Sequence, residues 1–293
     1  MYKPRILILG AGERVKLDLL PVLVALGYGG SELLILRKSA EQLSDFPQFV
    51  CIKMDEVVLG CFNPEIVISC LPTSDTVDVI QKVLKFTSPK NLFVDTPIAK
   101  IYKDLTRMYV PEGIHVLEDN HLVFFSSQLL NSRGNSHILI VWKAFYDYHG
   151  IALLSRTFGE TSKLFFKIRL RNFLFLLFRA GRTFVIWIGP RNYSNGKLFF
   201  VKPAVKKHFL QEYKLDLKFV SDWAKNYILD NLDPVYVDKI LTSNPVRNMP
   251  FWKRMALGEN LGKFLFDGEN NFLKLENAIQ NERYFRRFRQ IFR

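Results

Sequence analysis

Cysteine is scarce in this chain. Only Cys51, Cys61 and Cys70 occur, an odd number with no metal-ligand spacing. That argues against a disulfide framework and against a cysteine-built metal centre, and it fits a reducing cytoplasm. Long hydrophobic runs are missing too. The most apolar stretch, 173–188, is broken by Arg179 and Arg182, so neither half can span a bilayer. The N-terminal MYKPRILILGAGE carries a short apolar run that ends at Gly10. It lacks the length and the small-residue cleavage site of a signal peptide. A cytoplasmic protein is expected. Internal repeats, low-complexity tracts and nucleic-acid motifs are absent as well, so no nucleic-acid partner is expected.

What is present is an ordinary globular composition, 48% hydrophobic and 24% charged over 293 residues, enough for two domains. The net charge of +13 is unevenly placed. Residues 1–120 carry 13 Lys and Arg against 15 Asp and Glu, whereas 121–293 carry 28 against 13. That asymmetry points to two segments with different partners. A solvated basic surface, a phosphorylated or nucleotide-linked substrate, an acidic partner and an anionic membrane surface all suit the basic half.

The first 120 residues alternate between apolar strands and helices. RILILG (5–10), ELLILR (32–37), EIVISCLP (65–72), NLFVDTP (91–97) and IHVLED (114–119) read as strands. Helices are expected from about Arg14 to Leu26, from Thr76 to Phe86 and from Lys100 onward. Continuous apolar strands between helices indicate a parallel sheet covered on both faces. After residue 120 the pattern changes. One or two helices are expected over 121–158. Strands follow at 164–170, 172–178, 183–189 and 197–203, with hairpin turns at RAGR and NYSNG. From about Asp216 the chain again reads as helical. The expected architecture is α/β: a Rossmann doubly wound parallel sheet over 1–122, followed by an α+β domain over 123–293 with an open antiparallel sheet and C-terminal helices.

Gly10 and Gly12 directly follow the first strand. In a dinucleotide site the first glycine permits the tight turn and the second lets the backbone approach the pyrophosphate, with Glu13 and Arg14 opening the helix. The third glycine of G-x-G-x-x-G is replaced by Val15. A classical NAD site places Asp or Glu at the end of the second strand. Here Arg37, Lys38 and Ser39 stand there, which suits a 2′-phosphate and favours NADP(H) over NAD(H).

These segments together resemble the glucose–fructose oxidoreductase / inositol dehydrogenase (Gfo/Idh/MocA) family along nearly the whole chain. VISCLPTSDTVDVIQKVL (67–84) resembles the family's fourth strand and following helix, which places Leu71, Pro72 and Thr73 beside the cofactor. VDTPIAK (94–100) stands where the family has V-E-K-P-L-A, so Asp95, Thr96 and Pro97 fall at the cofactor's edge. VLEDNHLVFF (116–125) resembles the step that reads A-E-N-Y-R-F in the family; it keeps Asn120 but has His121 and Leu122 for the Tyr and Arg. YDYHGIALLSRTFG (146–159) resembles the helix D-x-G-x-H-x-x-D-x-x-x-x-x-x-G, with His149 ten residues before Gly159.

The resemblance implies an oxidoreductase that moves hydride between a nicotinamide cofactor and a small substrate held between two domains. It also implies homo-oligomers formed through the open sheet. The family's lysine becomes Thr96, its aspartate becomes Phe145, and its histidine is His149. Threonine is no base near neutral pH without an activating partner, but it still donates a hydrogen bond. Two readings stay open. In one, a divergent reductase uses His149 as acid, Thr96 as orienting donor and Tyr148 as a second acid candidate, on a sugar-like, nucleotide-linked, imine or carbonyl substrate. In the other, the chain is a non-catalytic NAD(P)-binding or scaffold protein of a biosynthetic pathway. The C-terminal NERYFRRFRQIFR adds an aromatic stripe, Phe285, Phe288 and Phe292, beside several arginines. It reads as a terminal helix docked on the body, with peripheral contact to an anionic membrane as the alternative.

Overall fold

A computed structural model describes residues 2–95, 102–117, 137–142, 161–170, 173–180, 182–190, 197–203, 208–212 and 249–279. They fall into two compact units. The first comprises Met1–Asn120 with Ala256–Ile279, and the second His121–Met255 with Gln280–Arg293. The linear division at 122 did not foresee that Ala256–Ile279 returns to the first unit.

The first unit is built on a parallel sheet. Its strands are β1 (Ile6–Leu9), β2 (Leu33–Leu36), β3 (Val50–Ile52), β4 (Ile66–Ser69), β5 (Asn91–Val94) and β6 (Ile114–Val116). The order is β3-β2-β1-β4-β5-β6, with every neighbouring pair parallel. This is the doubly wound order, which reverses between β1 and β4. Every residue of β1, β2, β4, β5 and β6 is buried. A parallel sheet covered on both faces requires this, and it explains why these strands read as unbroken apolar runs.

The connecting helices complete the layers. After β1 comes a π-helical segment, Val15–Leu19, that continues into α1 (Leu20–Ala25). Next are α2 (Glu56–Phe62), α3 (Thr73–Leu84) and α4 (Tyr102–Leu105). On α3 the buried Thr76, Ile80 and Val83 recur at spacings of four and three, one stripe of a helix facing the sheet. Asp55 caps α2 by accepting the Val58 N–H at 3.0 Å.

The returning segment holds the end of α5 (Met249–Gly262), a π-helical turn at Lys263–Asp267, and β13 (Leu273–Lys274), which pairs antiparallel with β6 and covers that edge. Phe264 and Phe272 meet Phe93 of β5 edge-to-face, with ring centres 5.1 and 4.8 Å away. This packing fixes the strand whose end carries Asp95.

The second unit contains a six-stranded sheet. β7 (Ile138–Trp142), β8 (Thr161–Leu170), β9 (Phe173–Ala180), β10 (Thr183–Pro190), β11 (Lys197–Pro203) and β12 (His208–Glu212) lie in the order β12-β11-β7-β10-β9-β8. All pairs are antiparallel except β7 with β10. Two expectations are corrected here. Residues 138–142, expected to be helical, form a strand, because the apolar run ILIV, rich in β-branched Ile and Val, fills a central place in the sheet. NYSNG does not close a hairpin, because β7 lies between β10 and β11. The turn at RAGR does join paired antiparallel neighbours, β9 and β10.

Side chains alternate across this sheet. Leu139, Leu176, Val185 and Trp187 are buried on one face. On the other, Phe166, Ile168 and Phe184 are about half exposed. A bulge between Leu164 and Phe166 brings the Phe165 ring to 6.0 Å from that of Phe184. Among the described residues no helix is long and apolar enough to cross a membrane.

Candidate functional site

The predicted site residues that the structure describes lie at the carboxyl ends of β1, β2, β4 and β5. At the end of β1, Gly10 has φ +100° and donates its N–H to Leu36 O at 2.8 Å. A Cβ at this position would stand 3.2 Å from Cys70 O and 3.3 Å from Leu71 Cδ2. Both the backbone angle and the lack of space therefore require glycine. At Gly12 a Cβ would meet no atom of the described residues within 4 Å. Gly12 faces open space, and its carbonyl accepts the N–H groups of Val15 and Lys16 at 3.0 and 3.1 Å as the helix begins. Val15, in the place of the third glycine, is fully buried. The helix takes π geometry from that residue onward.

Arg14 reaches across the sheet edge. Its Nε lies 3.1 Å from Asp95 Oδ2 and its Nη1 lies 3.3 Å from Asp18 Oδ2. Asp95 follows β5, and its N–H donates to Ser69 O at the end of β4 at 2.8 Å. The Arg14 and Asp95 side chains are only 19% and 15% exposed. Glu13 beside them is exposed.

The loop after β2 carries the predicted phosphate residues. Arg37 Nη1 donates to Glu41 O at 2.9 Å, so its guanidinium folds back on its own loop. Ser39 Oγ lies 3.4 Å from Glu41 Oε2. Lys38 Nζ stands 3.2 Å from Asp75 Oδ2 in the first turn of α3, although the lysine is 93% exposed. Hydrogen bonding from Ser74, then the Lys38 ammonium, hold the Asp75 carboxyl below its ordinary range. Leu71 and Pro72 form the turn into α3, where the buried Thr76 hydroxyl donates to their carbonyls at 3.2 and 2.9 Å. Thr73 begins that helix.

The structure thus gathers Gly10, Gly12, Glu13, Arg14, Val15, Arg37, Lys38, Ser39, Leu71, Pro72, Thr73 and Asp95 on the strand-end side of one sheet. Thr96, Pro97, Asn120, Tyr148 and His149 lie outside the described residues, as do Lys100, Phe145 and the aromatic stripe Phe285, Phe288 and Phe292. Sequence reasoning named Asp95 but not its pairing with Arg14, and it missed Asp75, which meets Lys38. The one sequence signal for Asp75 was an acidic residue in the first turn of a helix. Among the described residues no three His, Cys, Asp or Glu side chains are grouped to hold a metal ion.

No family model matches the chain, and no curated protein sequence matches it either. Solved structures do. The MviM dehydrogenase of Clostridium difficile is similar over 99% of both chains at 10% identity, with a TM-score of 0.61. The WlbA (WbpB) dehydrogenase of Thermus thermophilus, solved in complex with NAD and α-ketoglutarate, covers 95% of this chain and 92% of its own at 11% identity and a TM-score of 0.54. A super-repressor mutant of Gal80p from Saccharomyces cerevisiae covers 97% and 94% at 12% identity and a TM-score of 0.59. Similarity at such low identity establishes shared architecture, here over nearly the full length of each chain. The chain has the fold of the Gfo/Idh/MocA-type oxidoreductases.

Proposed function

We propose that this protein is a divergent NAD(P)-dependent oxidoreductase acting on a sugar-like, nucleotide-linked, imine or carbonyl small molecule. The observation that carries this reading is the glycine turn at the point where the strand order reverses. Gly10 makes the turn, and Gly12 leaves open space beside the start of the helix. Residues of this kind fit a pyrophosphate at that place. The fold shared with an NAD-complexed dehydrogenase supports the same reading.

In this reading Gly10, Gly12, Glu13, Arg14 and Val15 hold the pyrophosphate side. Leu71, Pro72 and Thr73 flank the adenosine side, and Asp95, Thr96, Pro97 and Asn120 lie toward the nicotinamide. Arg37, Lys38 and Ser39 receive a 2′-phosphate, which makes NADP(H) the preferred cofactor over NAD(H). The cofactor supplies the hydride chemistry when bound, and the protein's task is to position and polarise. His149 gives or takes the substrate's proton, with Tyr148 as a second acid, and Thr96 orients the carbonyl. A substrate more easily reduced than a sugar tolerates this weakened acid catalysis. The half-exposed face of the second sheet is the homo-oligomer contact, and the positive second half suits a phosphorylated or nucleotide-linked substrate.

A second reading, a binding or scaffold protein without turnover, is favoured by one specific observation. Arg14 and Asp95 pair across the edge where the cofactor is to lie. Shared architecture with a repressor supports that alternative. The discriminating experiment follows the absorbance of NADPH and NADH against a panel of carbonyl, imine and nucleotide-sugar compounds, with His149→Ala alongside. Turnover that falls about a hundredfold or more in His149→Ala supports the enzyme. Tight dinucleotide binding without turnover on any compound favours the scaffold.

A further inference from the structure

This inference rests on the dinucleotide reading and adds a control element to it. Arg14 stands at the start of the helix after β1, and Asp95 follows β5. In the strand order β5-β4-β1, the 3.1 Å contact between them passes over the carboxyl end of β4. It spans the point where the order reverses, the crevice in which open α/β sheets bind their ligands. Both side chains are largely withdrawn from water. A charge in that position persists only while it keeps a partner. Arg14 also meets Asp18, so two carboxylates share one guanidinium. The Lys38–Asp75 pair on the adenosine side differs, because Lys38 is almost wholly exposed and solvent screens it.

We propose that the Arg14–Asp95 pair is a bar across the nucleotide crevice: an anionic nucleotide binds by taking the Arg14 guanidinium from Asp95, and Asp95 thereby sets the affinity. Arg14 carries five donors in a planar fork, suited to a phosphate as well as to a carboxylate. Nucleotide binding then exchanges one anionic partner of Arg14 for another. Asp95 is a positioning residue in this scheme, acting through Arg14.

The test measures calorimetric dissociation constants for ADP-ribose, NADPH and NAD. The proteins are the full chain, Asp95→Asn, Arg14→Gln, the double variant and Asp18→Asn, each with its ligand-free thermal midpoint. Asp95→Asn is expected to tighten binding by about tenfold, and the gain is expected to vanish in the Arg14→Gln background. Asp18→Asn removes a charge from the same arginine without opening the cross-edge contact, and its gain is expected to stay under roughly twofold. Equal gains from Asp95→Asn with and without Arg14, or an equal gain from Asp18→Asn, would mean simple charge repulsion and overturn the bar. So would unchanged or weaker binding in Asp95→Asn. The comparison with Asp18→Asn decides the matter even if Arg14→Gln fails to fold. If the unaltered chain binds no nucleotide while Asp95→Asn does, the bar stands and the dinucleotide function of the native protein falls. If neither binds, both fall.

Discussion

His115 Nε2 lies 3.1 Å from Asn91 Oδ1, and its ring stands beside those of Phe93 and Phe264. The Asn91 amide nitrogen donates to Glu112 Oε2 at 2.6 Å, which leaves its oxygen facing the histidine. The imidazole therefore donates from Nε2, and its buried Nδ1 has no hydrogen-bond partner. The Asn270 amide stands farther off, at 3.4 Å. A second proton would place an unpaired N–H in this apolar site. Burial, then the nearby Lys274 ammonium, hold the His115 pKa below its ordinary value, while Glu276 and Glu112 oppose this more weakly.

A pH dependence follows. The unfolded chain takes up the proton near pH 6.5 and the folded chain only at lower pH, so the unfolded state binds more protons in between. The stabilisation is complete above about pH 6.5 and is lost as pH falls from there through the folded pKa, by up to about 1.4 kcal/mol per pH unit. Urea unfolding at a series of pH values is expected to show this slope in the native protein and to lose it in His115→Gln. A slope unchanged in the variant would assign the effect to other groups.

Phe93 joins β5 to the returning segment through Phe264 and Phe272. It is fully buried, so Phe93→Ala leaves a cavity and is expected to cost about 3–5 kcal/mol. Phe93→Leu is expected to cost markedly less. Denaturant midpoints with unchanged slopes would check both. An alanine variant as stable as the native protein would contradict the role given to this aromatic cluster.

Gly10 and Gly12 are expected to separate stability from binding. Gly10→Ala must hold φ +100° and press a methyl on Cys70 O, so its thermal midpoint is expected to fall. Gly12→Ala meets no atom of the described residues and is expected to leave the ligand-free midpoint nearly unchanged, while its methyl enters the proposed pyrophosphate space and weakens dinucleotide binding by tenfold or more, about 1.4 kcal/mol. Loss of stability in Gly12→Ala, or no loss of binding, would count against the assignment.

Arg37→Ala is expected to weaken NADPH far more than NADH, because only the former carries the 2′-phosphate. Equal effects on both would leave Arg37 as a loop brace that holds the Glu41 carbonyl.

The half-exposed face of Phe166, Ile168 and Phe184 is the proposed contact between copies. Light scattering is expected to give a mass above the 34.2 kDa of one chain, and Phe184→Arg is expected to shift it toward the monomer. A native monomer would dismiss this contact.

The first sheet was legible because a doubly covered parallel strand leaves a plain signature. ILIL, LLIL and IVIS are buried at every position and stand out as short apolar runs. β3 was not legible, since it has three residues and its Val50 is half exposed at the sheet edge. β7 was misread because a short apolar run such as ILIV suits a buried helix as well as a strand, and its pairing with β10 and β11 is long-range. The same limit applies to the site. Gly10 and Gly12 are marked by their neighbours in sequence, whereas the meeting of Arg14 with Asp95 depends on the strand order that brings β5 near β1.

The most direct test of the central claim is the thermal midpoint of the purified protein with NADPH, NADP, NADH and NAD at millimolar concentration. A ligand that binds only the folded state raises the midpoint according to how far its concentration exceeds its dissociation constant. A clear rise is expected, larger with the phosphorylated pair. No shift with any of the four would contradict a dinucleotide site at Gly10 and Gly12.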